Sequence, residues 1–189
     1  MPMPESSLRF LVRDGTEDDI AACLALDSRY ETGHVLQVYL HGHESQGWNI
    51  SLQRERMPRP VELSHPVHRS LIRRALTQEA CFLVAEGRDE DKPFLGCLVL
   101  LPDQEHGFGL IQSLVVSGKA RRQQVGLRLL AASRTWAKEK DLTRLMAEVQ
   151  TKNAPAISFL EAAGFSFCGF NDHYFSDESI ALFFSLPLK

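Results

Sequence analysis

The stretch LIQSLVVSGKARRQQVGLRLLAASRTW, residues 110–136, decides how the rest of the chain is organised. Its first part contains four aliphatic or β-branched residues, Ile111, Leu114, Val115 and Val116, and ends at Ser117-Gly118. This pattern predicts a strand that stops at a turn. From Val125 onward apolar residues recur at helical spacing, which predicts a long amphipathic helix. The apolar stripe of this helix consists of Leu129, Leu130, Ala132, Trp136 and Ala137.

The turn between this strand and this helix is basic. It contains Lys119, Arg121 and Arg122, and Gly126 follows just inside the helix. The start of a helix presents unpaired N–H groups and the positive end of the helix dipole. Cations beside such a helix start favour a diphosphate site, although a solvated helix start is an equally ordinary interpretation of the turn alone.

A second informative stretch is NAPAISFLEAAGF, residues 153–165, which follows an expected strand at Arg144–Val149. Asn153 is a good N-cap, Pro155 suits the first helical turn, and Gly164 is typical of a helix end. We therefore expect a short helix here. Its buried stripe is predicted to be Ala156, Phe159, Leu160 and Ala163.

Together the two stretches resemble the GCN5-related N-acetyltransferase (GNAT) superfamily. The pyrophosphate motif of that family, R/Q-x-x-G-x-G/A, falls on residues 121–126, RRQQVG. Its second motif, N-x-x-A-x-x-F-Y-x-x-x-G-F, falls on Asn153, Ala156, Phe159, Leu160, Gly164 and Phe165. The order and spacing of the motifs also match. The tail from His173 to Leu186 resembles the closing strands of bacterial members near the streptothricin acetyltransferases.

The resemblance implies a single α/β domain over residues 1–189. Its mixed, largely antiparallel sheet would have six or seven strands, splayed between the fourth and fifth, with about four flanking helices and acyl-CoA in the gap. The implied activity is acetyl transfer from acetyl-CoA directly to a primary amine of a small molecule or peptide. No cysteine or serine stands in a nucleophile motif, so we expect no covalent intermediate.

The resemblance also implies which residues bind acetyl-CoA. Main-chain groups of Leu114, Val115 and Val116 would hold the thioester carbonyl. The diphosphate would lie on Arg121, Arg122, Gln123, Gln124, Val125, Gly126 and Leu127. The pantetheine or adenylate end would contact Asn153, Ala156 and Phe159.

Two positions depart from the family pattern. Gln124 replaces the first glycine of the pyrophosphate motif, so its side chain must point away from the phosphates. We expect the main-chain N–H of Gln124 to donate if the backbone there is ordinary. Leu160 replaces the tyrosine that many members place near the sulfur of acetyl-CoA, and a leucine cannot protonate a departing thiolate.

The catalytic groups must therefore come from elsewhere. Glu148 alternates outward near the end of the strand at 145–150 and is the candidate base, although a structural or solvent role is the more ordinary interpretation. Tyr174 or Tyr30 is the candidate acid. His173 could act on an ammonium through water, or it could simply be a loop histidine.

Composition limits the function classes. The 189-residue chain carries a net charge of −3 and 44% hydrophobic residues, so we expect no nucleic-acid or membrane partner. The N-terminal segment has no signal-peptide pattern, and the cysteines form no CxxC pair, which favours the cytoplasm. The sequence His41-x-His43-Glu44 is too common to predict a metal. A homodimer stays open.

The first half of the chain carries no motif of known chemistry. We expect strands at 8–13, 35–40, 48–56, 81–85 and 94–101, helices beginning at Thr16 and Pro66, and a polar connection at 28–34. Residues 28–65 would select the acceptor. There Tyr30, Glu31 and Trp48 could line a pocket for a cationic amine, and ordinary partial burial is as good an explanation.

Two rival functions remain. A catalytically weak acyl-CoA-binding regulatory or scaffold protein is favoured by Leu160, and a transferase for longer acyl chains is the other.

Overall fold

The computed structural model describes residues 9–43, 47–78 and 80–189. The strands are β1 (Phe10–Asp14), β2 (Arg29–His43), β3 (Gly47–Ser64), β4 (Cys81–Gly87), β5 (Phe94–Asp103), β6 (Phe108–Val116), β7 (Arg144–Gln150), β8 (Ser166–Asn171) and β9 (Ala181–Pro187). The α-helices are α1 (Ile20–Leu24), α2 (Arg69–Thr77), α3 (Val125–Glu139) and α4 (Ala154–Ala162). Within these described ranges, no helix has the length and apolar character of a membrane span.

Seven of these strands form one sheet in the order β1-β4-β5-β6-β7-β9-β8. The pairs β1/β4, β4/β5 and β5/β6 are antiparallel. The pair β6/β7 is parallel, with Phe108–Ile111 opposite Arg144–Ala147. The expected α/β class, a mixed sheet of seven strands with four α-helices among the described residues, is confirmed.

The chain divides into two compact units by its internal contacts. The first unit contains the described residues of 1–29, 64–147 and 185–189, and the second contains those of 30–63 and 148–184. One core of the first unit lies where α1 and α2 cover β4, β5 and β6. Its buried members are Ile20, Cys23, Val67, Ile72, Ala75, Phe82, Val84, Cys97, Val99, Leu101 and Val115.

Helix α3 packs on the opposite face of the same strands. A β-carbon added to Gly96 of β5 would lie 3.5 Å from the Cδ1 atom of Leu129 and only 2.6 Å from the carbonyl oxygen of Val115. A side chain at 96 would therefore push β6 away from β5, whereas its contact with the helix at 3.5 Å would be ordinary packing. Val125, Leu129, Leu130, Ser133 and Ala137 are buried, whereas Ala132 and Trp136 of the expected stripe are only half-buried.

A buried carboxylate joins β1 to the start of α1, as the cap predicted at Thr16 requires. Asp19, only 7% exposed, accepts hydrogen bonds from the main-chain nitrogen of Thr16 at 2.8 Å and from both terminal nitrogens of Arg13 at 2.8 Å. Arg13 also pairs with Glu86 of β4 at 2.8 Å. These charges tie two strands and a helix start together within the first unit.

Helix α2 begins at Arg69, three residues later than the expectation from Pro66. His68, its N-cap residue, has extended backbone angles, and Val67 is only 6% exposed within the core. Insertion of Val67 into the core keeps the chain extended past the proline, so the proline does not open the helix.

In the second unit, β2 and β3 form a two-stranded sheet of their own. The polar connection expected at 28–34 is wrong, because β2 already begins at Arg29. Tyr30 and Thr32 are buried (9% and 3% exposed) while Glu31 is exposed. This alternation is the period-two pattern of a half-buried strand. The expected strands at 35–40 and 48–56 are parts of longer ones, and residues 44–46 of the link between them lie outside the described part.

Candidate functional site

Strand β6 carries an irregularity just before the turn predicted to bind phosphate. Opposite β5, Val99 pairs with Ser113 and the next residue, Leu100, pairs with Ile111. Gln112 is therefore an extra residue, a β-bulge that adds local twist and re-aims the chain beyond it. The three residues predicted to hold the thioester follow this bulge. Val115 is buried and Leu114 and Val116 are half-buried.

The turn after β6 is closed by its own hydrogen bonds. The nitrogen of Ser117 donates to the carbonyl of Leu95 at 2.8 Å, and Gly118–Ala120 form one 3-10 turn. The side-chain nitrogen of Gln123 donates to the carbonyl of Lys119 at 2.8 Å. These hydrogen bonds fix the shape of the turn.

Gln124 departs from the expectation of ordinary backbone angles. Its φ of 66° and ψ of 2° lie in the left-handed region, where glycine is the usual residue. The backbone therefore has a conformation that glycine adopts without steric cost, although the residue is glutamine. Arg122, two residues earlier, is also left-handed, with φ 61°.

Helix α3 begins at Val125 without a capping side chain. The first N–H groups of a helix have no partner inside the helix. The main-chain nitrogens of Val125, Gly126 and Leu127 occupy those positions; Val125 is buried, Gly126 is half-buried and Leu127 is 47% exposed. An uncapped helix start of this kind can accept an oxyanion.

The three cations of the turn have different surroundings. The guanidinium of Arg121 donates to the carbonyls of Val116 at 3.1 Å, Arg29 at 2.8 Å and Asp27 at 3.4 Å. It therefore ties the turn to the chain entering β2. The side chains of Lys119 and Arg122 are exposed and form no hydrogen bond or ion pair with any described residue. These two cations are free to meet an anion.

In the second unit, Asn153 caps α4 as predicted. Its side-chain oxygen accepts from the nitrogen of Ala156 at 3.2 Å. The buried stripe differs from the expectation, because Ile157 and Leu160 are buried while Ala156, Phe159 and Ala163 are half-buried. Leu160, at the family's tyrosine position, is 6% exposed.

Two of the three predicted catalytic residues meet in the second unit. The hydroxyl of Tyr174 donates to a carboxylate oxygen of Glu148 at 2.6 Å. This hydrogen bond, followed by partial burial and the charge of Glu148, raises the pKa of Tyr174 to about 12. The ring stands edge-on to Phe175 and Phe183, at centroid distances of 5.2 and 5.4 Å. Tyr174 is therefore a protonated phenol with a defined orientation.

His173, the third, is an exposed loop residue with φ 53°. Its Nδ1 atom lies 3.2 Å from a carboxylate oxygen of Asp172. Tyr30, the other candidate acid, is 9% exposed. Burial, and then the charge of Asp177, raises its pKa.

The suggested amine pocket of Tyr30, Glu31 and Trp48 is wrong. Trp48 borders a cavity of about 430 Å³ together with His41, Gly42, Gly47 and Asn49. Tyr30 and His41 are eleven residues apart on the single strand β2. At about 3.3 Å per residue that is roughly 36 Å, too far for one small pocket. Glu44, the carboxylate of the sequence His41-x-His43-Glu44, lies outside the described residues.

Comparison with known proteins agrees with this architecture. The acetyltransferase (GNAT) family model matches residues 48–165, more than half of the chain. A search of curated protein sequences gives no match.

Three solved structures illustrate the fold. A nourseothricin acetyltransferase is 23% identical, with a TM-score of 0.80 over 95% of this chain and 99% of that one. A Bacillus anthracis protein assigned as a streptothricin acetyltransferase, solved with acetyl coenzyme A, is 22% identical, with a TM-score of 0.79 over 96% and 100%. The Escherichia coli ribosomal-protein-S18-alanine N-acetyltransferase is 14% identical, with a TM-score of 0.64 over 95% and 94%. At these identities the likeness is one of fold.

The family match covers both sequence motifs, and the fold agrees along nearly the whole chain. The chain therefore belongs to the acetyltransferase (GNAT) family, the acetyl-CoA-dependent acetyltransferases that its two motifs resemble.

Proposed function

We propose that this protein is an N-acetyltransferase that moves the acetyl group of acetyl-CoA directly to a primary amine of a small molecule or peptide. The observation that carries this proposal is the start of α3, which has no capping side chain and lies next to two exposed cations that have no partner among the residues the structure describes. This is the environment that a diphosphate requires.

For the cofactor side, the nitrogens of Val125, Gly126 and Leu127 are proposed to donate to the diphosphate, with Lys119 and Arg122 neutralising its charge. Arg121, Gln123 and Gln124 hold the turn in the conformation that exposes those nitrogens. In this proposal Leu114, Val115 and Val116 supply main-chain groups for the thioester. Asn153, Ala156 and Phe159 contact the rest of coenzyme A.

For the chemistry, Glu148 and Tyr174 are proposed to form a proton relay. Glu148 takes the proton that the attacking amine loses and passes it to Tyr174 across their 2.6 Å hydrogen bond. Tyr174 gives its own phenolic proton to the departing thiolate. The C–S bond breaks, the amide C–N bond forms, and the products are the amide and the free thiol of coenzyme A. His173 is kept as an alternative base that would act through water.

The acceptor is proposed to be a basic amine. Residues 148–184 contain five carboxylates, namely Glu148, Glu161, Asp172, Asp177 and Glu178, against the single cation Lys152. Asp172, Asp177 and Glu178 are exposed. A surface of this sign attracts cationic molecules and raises their local concentration. The nourseothricin and streptothricin acetyltransferases of the same fold make nourseothricin and streptothricin the first acceptors to test.

Burial of Leu160 at the family's tyrosine position favours one rival function, a protein that binds acyl-CoA without turnover. The decisive experiment is thiol release from acetyl-CoA and longer acyl-CoAs against a library of amines. Release that depends on a basic amine supports the enzyme. Binding of coenzyme A by calorimetry with no release from any pair would establish the rival. Faster thiol release from a longer acyl-CoA than from acetyl-CoA would identify the protein as a transferase for longer acyl groups.

The catalytic assignment is tested by Tyr174→Phe, Glu148→Gln and the double variant. Each single change is expected to lower kcat by about a hundredfold, with the acetyl-CoA KM retained. The double variant should be little worse than either single one, because the two residues act as a unit. A Tyr174→Phe variant with the turnover of the wild type would overturn the relay.

The cytoplasm is proposed as the location of the protein. Cys23, Cys81 and Cys97 are buried free thiols, and burial raises the pKa of Cys81 to about 12, which suits a reducing cytoplasm. Fractionation of the expressing cell tests the location, and sedimentation tests the homodimer left open by the sequence.

A further inference from the structure

The loop between β8 and β9, residues 172–180, is closed by hydrogen bonds of its own backbone. The nitrogens of Tyr174 and Phe175 donate to the carbonyl of Ser179 at 3.2 and 3.3 Å, and the nitrogen of Glu178 donates to the carbonyl of Phe175 at 2.8 Å. His173 and Glu178 both have left-handed backbones, with φ of 53° and 61°. The loop therefore carries Tyr174 on a closed turn.

A polar cluster fixes this turn. One carboxylate oxygen of Asp177 accepts from the Oγ atom of Ser179 at 2.6 Å and from its nitrogen at 3.2 Å. These hydrogen bonds hold the pKa of Asp177 below its ordinary value. The side-chain nitrogen of Gln150 donates to Asp177 at 3.3 Å and to the Oγ atom of Ser179 at 3.0 Å. The loop is thus attached to β7 through Gln150.

Gln150 and Glu148 stand two residues apart on β7, so their side chains leave the strand on the same face. Strand β7 therefore contacts the loop at two points. Glu148 holds the tip of Tyr174, and Gln150 holds the base of the turn that carries it. The two attachments are two residues apart on β7. Together they fix the position of the phenol more precisely than a single hydrogen bond to an exposed loop could.

We propose that Gln150, Asp177 and Ser179, which we name the loop clamp, are positioning residues that hold the phenol of Tyr174 on Glu148. This inference rests on the proposed function, in which Tyr174 delivers the proton to the thiolate. The clamp touches neither substrate. It acts only by keeping the phenol at the place where the relay needs it, and small displacements of a proton donor are costly to turnover.

The test is a double-mutant cycle between Gln150→Ala and Tyr174→Phe, read as kcat and KM with acetyl-CoA and the best amine of the library. Gln150→Ala alone is expected to lower kcat about tenfold with an unchanged acetyl-CoA KM. In the Tyr174→Phe background the same change should have no further effect on kcat. Gln104→Ala, at an exposed glutamine in the turn between β5 and β6, is the matched control and should behave as wild type.

Ser179→Ala supplies a second variant, because it removes the hydroxyl shared by Asp177 and Gln150 and should repeat the pattern. Thermal unfolding of every variant shows which ones are folded. Equal losses of kcat from Gln150→Ala with and without Tyr174 would overturn the clamp, and so would wild-type turnover in both clamp variants. Failure of the proposed function looks different, since Tyr174→Phe would then itself turn over as the wild type does.

Discussion

Gln124 is one of the residues at which the backbone departs from the conformation that its residue type prefers. A non-glycine residue in the left-handed region costs about 1 kcal/mol, and Gln124 has φ 66°. We expect Gln124→Gly to raise the free energy of unfolding by up to about 1 kcal/mol and to leave the acetyl-CoA KM unchanged or lower. Urea unfolding measures the first effect and initial rates measure the second.

Gln123→Gly is the matched control for this substitution. Gln123 does not have a positive φ, and its side chain bonds to Lys119, so glycine there should destabilise the protein. A loss of stability in Gln124→Gly as large as that in Gln123→Gly would show that the left-handed backbone at 124 carries no strain.

The hydrogen bond between Tyr174 and Glu148 should make the free energy of unfolding depend on pH. With a pKa raised to about 12, the folded phenol stays protonated where an unfolded one, near 10, begins to ionise. The stabilisation is therefore fully present below about pH 10 and lost as the pH rises toward 12. Because Tyr174 is 40% exposed, we expect Tyr174→Phe to cost only about 1 kcal/mol at neutral pH.

The measurement is the unfolding free energy of both proteins from neutral pH to about pH 11. The difference between wild type and Tyr174→Phe should stay constant up to about pH 9 and then shrink. A difference that is absent at neutral pH, or that grows as the pH rises, would contradict the hydrogen bond.

At the scale of single residues, local rules predict caps well and backbone strain poorly. Asn153 as an N-cap follows from its own type and the next two residues. The angles of Gln124 do not, because they are set by the turn before it and the helix after it. The partner of Tyr174 is also beyond the sequence, since Glu148 lies 26 positions earlier.

The start of α1 is the element whose stability depends most on one charge. Asp19 accepts hydrogen bonds from Arg13 and Thr16 and is 7% exposed. Removing one partner of a fully buried ion pair costs about 3 kcal/mol, but the side chain of Arg13 is 36% exposed. Asp19→Ala should therefore lose about 2 kcal/mol in urea unfolding. Asp18→Ala, an exposed neighbour, should change little.

The ionisation of Asp19 should also make the free energy of unfolding depend on pH. Its hydrogen bond with Arg13, more than any other contact, lowers the pKa of Asp19 below 3.8. The stabilisation is therefore present above about pH 4 and is lost as the pH falls through the folded pKa. The gap between wild type and Asp19→Asn should be constant above about pH 4 and should narrow as the pH is lowered further. A gap that does not narrow in acid would mean that packing, rather than charge, holds this element.

Two substitutions at Asn153, the N-cap of α4, distinguish a structural role of this residue from a role in binding coenzyme A. Asn153→Ala should cost about 1 kcal/mol by removing the cap, whereas Asn153→Asp keeps an acceptor for the nitrogen of Ala156 and should remain stable. If the side-chain amide also contacts coenzyme A, Asn153→Asp should raise the acetyl-CoA KM with no loss of stability. An unchanged KM would leave Asn153 as a cap only.

At the element scale the sequence is a good guide where one face is buried. The strands β4 to β7 and helix α3 are recognisable from aliphatic runs and helical spacing. The early start of β2 is harder to see, because its alternation of Tyr30, Glu31 and Thr32 looks polar in composition. The start of α2 is shifted because Val67 packs in the core, which is a tertiary contact that overrides the local signal of Pro66.

For the whole molecule, two motifs in the right order were enough to predict the fold class, because each places a helix start after a strand of one sheet. The acceptor is not predictable in the same way, because residues 28–65 carry no motif and only the structure shows the long ribbon of β2 and β3. The loop clamp was likewise missed, although Asp177-x-Ser179 is a pattern typical of turns.

The central claim is that the diphosphate of acetyl-CoA binds at the uncapped start of α3 with Lys119 and Arg122. Calorimetric titration of acetyl-CoA into the wild type, Lys119→Glu/Arg122→Glu, and Arg88→Glu tests it most directly. Arg88 is an exposed arginine outside the turn and controls for charge reversal. We expect the double reversal to weaken binding at least about tenfold and Arg88→Glu to bind as the wild type does. Equal affinity in all three proteins would contradict the claim.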